Sequence, residues 1–157
     1  MRLSDYTYRY NAAAYFAARE RFGAAQRAKL EAYQADTDEA AKKGADYLEE
    51  LERLQAEADG KEFAALIASP TQEGFAALCW GVAALTTEGE LWRRYMGHEP
   101  REMLTPERVR AELQPWQIIE AKTLVMHAMI HGIRPPQDDK AEVDEVLEAL
   151  QKKTGSA

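Results

Sequence analysis

The stretch GFAALCWGVAAL, Gly74 to Leu85, contains no charged side chain, in a 157-residue chain that is 30% Asp, Glu, Lys and Arg. A helix that is apolar on nearly every side is surrounded by other elements rather than laid on a surface. This segment therefore reads as the inner helix of a small all-α domain. Phe75, Trp80 and Val82 supply volume, while Gly74 and Gly81 permit close helix approach at some cost in propensity. Just ahead, Ser69 and Gln72 fit a capping box, with Pro70 at the first helical position. Just behind, Thr87 and Glu90 fit a second box. The spacing predicts that a new helix opens there, carrying Leu91, Trp92, Tyr95 and Met96 on one stripe and ending at Gly97 as its C′ residue.

Helical spacing continues outward in both directions, and strand signals are nearly absent. Arg2–Tyr10 alternates Tyr and Thr and predicts a short N-terminal extended arm. After it, Tyr15, Phe16, Phe22, Leu30 and Tyr33 follow helical spacing. Asp36 or Asp38 caps the next helix, whose narrow stripe of Tyr47, Leu48, Leu51 and Leu54 closes near Gly60. Residues 36–60 thus read as an acidic hairpin arm protruding from the domain. Downstream, Thr105-Pro106-Glu107 opens a short helix reaching Leu113. Pro115-Trp116 opens a longer one through Ile118, Ile119, Val125, Met129 and Ile130 to Gly132. Pro135 and Pro136 then break the chain before a last amphipathic helix with Val143, Val146, Leu147 and Leu150. The expected architecture is one all-α domain over 1–153, of about six to seven helices, with a frayed tail at 154–157.

The net charge is −7 and unevenly spread. Residues 1–35 hold six basic and three acidic groups, whereas residues 36–62 hold ten acidic and four basic. An acidic total argues against nucleic acid, where binding rests on neutralising phosphates, and against anionic membranes. No apolar run reaches the ~20 residues that cross a bilayer, and MRLSDYTYRY lacks the apolar stretch of a signal peptide. A cytoplasmic location is expected. The single cysteine, Cys79, excludes an internal disulfide and reads as a small buried hydrophobe.

Signatures of catalysis are sparse. No GxGxxG, GxxxxGK[ST] or GxSxG is present. His127 and His131 stand at i, i+4, the spacing that presents two imidazoles to zinc. Glu120 projects to the same side but lies about 16 Å from His131 along the helix axis, and a closed zinc site needs four ligands. Thr123 and Gln117 share that face, which therefore reads as polar and solvent-facing. No metal, no cofactor and no enzymatic activity is expected. Arg93 and Arg94 beside Trp92 could bind an acidic group or simply lie at a surface. What remains is an excess of large adaptable apolar groups: Trp92, Tyr95, Met96, Met103 and Trp116, with Met126 and Met129 added to them. Such surfaces suit varied apolar helices, so these five residues are the candidate partner-binding set.

Four segments in this order carry a family resemblance: YRYNAAAYFAARERFG (Tyr8–Gly23), ALCWGVAAL (Ala77–Leu85), LTPERVRAEL (Leu104–Leu113) and IIEAKTLVMHAMIHGI (Ile118–Ile133). Across about 100 residues the chain resembles the tail assembly chaperones of long-tailed, siphovirus-type bacteriophages. The resemblance implies a helical protein of the bacterial host cytoplasm that binds the tape measure protein, keeps it soluble and helps tail tube protein polymerise around it. The acidic Ala/Glu-rich stretch Gln26–Gly60 departs from the pattern as an insertion, and the N-terminal arm is less strand-like than the family's. Two other classes compete: a small virion-structural or regulatory module that self-associates, and a metal-dependent enzyme built on His127 and His131.

Overall fold

The computed structural model describes residues 1–22 and 44–133. It is a single all-α domain with no strand among the described residues. Five α-helices are present: α1 (Ala12–Arg21), α2 (Ala45–Ala68), α3 (Gln72–Tyr95), α4 (Pro106–Glu112) and α5 (Ile118–Ile133), with 3₁₀ turns at Leu3–Asp5 and Pro115–Gln117. Residues 36–43 of the acidic hairpin with its Asp36 and Asp38 caps, the last amphipathic helix and the tail lie outside the described residues.

Helix α3 is the inner element, packed by α1, α2, α4 and α5. Ala77, Leu78, Val82 and Leu85 have no exposure at all. Trp80 is half-buried and meets the rings of Phe22 and Phe63 edge-on, at 5.3 and 5.7 Å. Opposite the uncharged stretch, α2 inserts Phe63 and Ile67, while α5 inserts Ala121, Val125 and Met129. Each fully buried Leu, Val or Phe of this kind contributes about 1.5–3 kcal/mol by leaving water.

Several boundaries differ from the sequence expectation. Helix α1 stops at Arg21, whereas the helical spacing runs on to Tyr33, and α2 starts at Ala45 with Gly44 before it. Gly60 does not close α2, which runs on to Ala68; Ile133 of α5 lies against it. Ser69 does not cap α3. The residue before a proline is pushed to extended backbone, so Ser69 terminates α2 at ψ 129° and Thr71 takes the capping role, accepting from the Gly74 amide at 3.0 Å. No helix begins at Thr87, because α3 passes through unbroken to Tyr95. The neighbouring Thr86 hydroxyl is spent within the helix, donating to the carbonyls of Val82 (2.6 Å) and Ala83 (3.1 Å). Glu90 turns away to the loop beyond. The end at Gly97 is as expected: with φ +88°, it closes a Schellman pair from Gly97 N to Arg94 O and from His98 N to Arg93 O.

The N-terminal arm crosses α3 and α5 as an irregular strap. Leu3 is buried, and Tyr8 donates to the Leu3 carbonyl at 3.0 Å. Gln117 Nε2 donates to Met1 O, Arg101 Nη1 to Asp5 O, and the Arg9 amide to Leu85 O. Two glycines make the approach possible. A Cβ on Gly89 of α3 would overlap the Thr7 carbonyl, and one on Gly132 of α5 would overlap the Tyr10 carbonyl. Asn11 then starts α1, its side chain accepting from Ala14 N at 3.0 Å and donating to Glu88 at 2.9 Å. A buried cluster ties α1 to α2: Tyr15 donates to Asp59 at 2.5 Å, Gln55 donates to Asp59 at 3.0 Å, and Arg19 pairs with Asp59 at 3.5 Å. Burial first, then the bond to Asp59, pushes the Tyr15 hydroxyl well above its ordinary range.

Candidate protein-binding surface

The end of α3 carries three of the candidate residues. Trp92 is 37% exposed, Tyr95 87% and Met96 56%, with Leu91 exposed beside them. Their stage is built by Glu90. This nearly buried carboxylate accepts from the Arg101 amide at 2.6 Å, from Arg93 Nη1 at 2.8 Å and from Arg94 Nε at 3.3 Å. Those bonds, the Arg101 amide foremost, hold the Glu90 carboxyl down to about 2 in spite of burial. Arg93 and Arg94 also donate to the carbonyls of Glu99 and Arg101. The arginine pair is therefore engaged by an internal acid and pins the Met96–Arg101 turn. Arg9 from the arm lays its guanidinium over the Trp92 ring, 4.8 Å from the centroid, a cation–π arrangement.

Trp116 does not join them. Helix α4 runs back along α3: Pro106 shares a shallow hollow with Ala83 and Thr87. The Arg110 charge, further along α4, is felt at Cys79, partly opposing the upward push of burial on that thiol. Trp116 follows α4, so it sits on the order of 20 Å from Tyr95 at 1.5 Å per residue of α3. Its neighbour in sequence is instead Ile119. Trp116 is 76% exposed, Ile119 78% and Ile130 49%. Eleven residues return a helix to within about 20° of the same azimuth, so Ile119 and Ile130 mark one outer face of α5. Met103 is half-buried between the two regions of the chain, next to the buried Leu104. Met126 and Met129 belong to the packing: Met129 is buried and Met126 lies against the core.

The candidate set thus divides: Trp92, Tyr95 and Met96 lie at the end of α3 with Leu91 exposed beside them, Trp116 lies before α5 near Ile119, and Met103 is half-buried, while Ile130 is exposed about 16 Å further along α5. The sequence runs Ile119 and Ile130 along the helical pattern of α5 and marks neither for a partner.

The polar face of α5 is also revised. Thr123, His127 and His131 are exposed, but Gln117 is buried; it donates to Met1 O at 2.9 Å and accepts from Gln114 N at 3.0 Å. A cleft of about 430 Å³ opens between the arm and α5, lined by Tyr8, Tyr10, Leu124, His127 and His131 among others. Among the described residues no group of three or more His, Cys, Asp or Glu could hold a metal ion, and no helix is long and apolar enough to cross a membrane. No family model, no curated protein and no solved structure matches the chain.

Proposed function

We propose that this protein is a tail assembly chaperone of the long-tailed phage type, which shields apolar helical stretches of the tape measure protein while tail tube protein assembles around it. The observation that carries this reading is the set of large apolar side chains left exposed at the end of α3 and along α5. Tyr95 and Met96 lie at one end, and Trp116, Ile119 and Ile130 along α5. Aromatic and thioether side chains adapt to helices of varied shape, and helix-in-groove docking reads partners through apolar anchors at helical spacing. The net charge of −7 keeps such a chaperone soluble between clients.

The test is co-expression of the tagged chain with the tape measure protein of its phage. The wild-type chain should recover that protein in soluble form. Ile119→Asp and Tyr95→Asp should each reduce recovery, and the double variant should abolish it. Failure of the well-expressed wild type to retain the tape measure protein would remove the reading. Light scattering on the purified chain checks the competing class, since a self-associating module should assemble alone.

A further inference from the structure

His127 and His131 stand one turn apart near the end of α5, and both are exposed. Their Nε2 atoms lie 3.3 Å apart in a hydrogen bond from one imidazole to the other, closer than the ring centroids at 4.4 Å, so the Nε2 edges are turned toward each other. Histidine χ2 is broad, so swinging the rings aims both lone pairs at one point without moving the backbone. Arg9 lines the same cleft, but its guanidinium is occupied over Trp92.

We propose that His127 and His131 form an open two-imidazole chelate for a borderline divalent transition metal, Zn²⁺ in particular, with water completing the coordination. The absence of a closed four-ligand set is no obstacle to a site that keeps positions open to solvent. Its consequence is local. An i, i+4 chelate clamps the last turns of α5, where Gly132 seats the Tyr10 backbone, so bound metal secures the arm against the helix.

The test uses the untagged full chain, titrated with zinc chloride in competition with a chromogenic chelator. One ion per chain should bind. His127→Ala and His131→Ala should each weaken binding about tenfold or more, since a lone imidazole loses the chelate advantage. His98→Ala, in the loop after α3, should leave binding unchanged. X-ray absorption should show two imidazole nitrogens in an otherwise oxygen shell, and zinc should raise the melting temperature of the wild type but not of either α5 variant. Both side chains are exposed, and metal-free melting curves verify that the variants fold. Wild-type affinity in either α5 variant, or loss of binding in His98→Ala, would overturn the assignment.

Discussion

Two apolar helices of this molecule meet water differently. Along Gly74–Leu85 of α3, Leu78, Val82 and Leu85 have no exposure, whereas α5 hides Val125 and Met129 on one side and leaves Ile119 and Ile130 open on the other. The difference comes from neighbours. Helix α3 is packed by four other helices, while α5 is packed by α2, α3, the 3₁₀ turn before it and the crossing arm. An apolar helix is enclosed only when enough elements converge on it. Where they do not, part of its apolar surface stays open to solvent.

Introducing a charge sets the sharpest contrast between the two helices. Val82→Asp places an unpaired carboxylate at zero exposure, and such burial costs several kcal/mol. That is a large part of the 5–15 kcal/mol that holds a domain together. The variant should be unfolded or molten by circular dichroism. Ile119→Asp should instead melt within about 0.5 kcal/mol of the wild type, as surface changes do, while reducing recovery of the proposed client. Equal destabilisation by the two would erase the distinction.

Truncation gives the same comparison on a finer scale. Leu85→Ala should cost about 2–5 kcal/mol in urea unfolding, as at other enclosed leucines. Ile130→Ala, at 49% exposure, should cost well under half of that.

The arm tests whether α3 and α5 act as one seat. Gly132→Val and Gly89→Val each put side-chain atoms against backbone carbonyls of the arm. Each should lose about 1–3 kcal/mol by overpacking, and limited proteolysis should then cut between Met1 and Tyr10. Resistance of that segment in both variants would show that the glycines are not needed for its docking.

The smallest effect concerns pH. The Glu90 carboxyl is lowered from 4.5 to about 2 in the folded state. Its contribution is therefore fully present above pH 4.5 and is lost as pH falls through about 2. The gap in melting temperature between the wild type and Glu90→Gln should shrink over that window and stay constant above it. A gap that persists at the acid end would mean that shape, not charge, holds the Met96–Arg101 turn.

Much of the fold was legible because its signals are local. The Gly97 stop, the Thr105 cap with Pro106 and the uncharged run of α3 all depend on residues within a turn or two of each other. The misread boundaries share a different cause. Thr87 carries a capping signature that the helix overrides, since Glu90 finds its partners at Arg93, Arg94 and Arg101 rather than at a helix start. Gly60 resembles a stop but lies against Ile133, more than seventy residues away. The five candidate residues stand out in the sequence only by chemistry, as large, adaptable and close together. That Trp116 lies away from Trp92, Tyr95 and Met96, and that Met103 is half-buried, was not legible there, because it depends on α4 doubling back along α3.

The chain by itself determined that the domain is helical, that Gly74–Leu85 is its inside, and where most helices stop, because period, capping and charge act over a few residues. Only the tertiary structure decided which side of α5 faces water, that Gln117 is buried against the N-terminus, and that two histidine nitrogens converge beside the arm. Those outcomes depend on how many neighbours reach a given face, a quantity set by packing between distant segments.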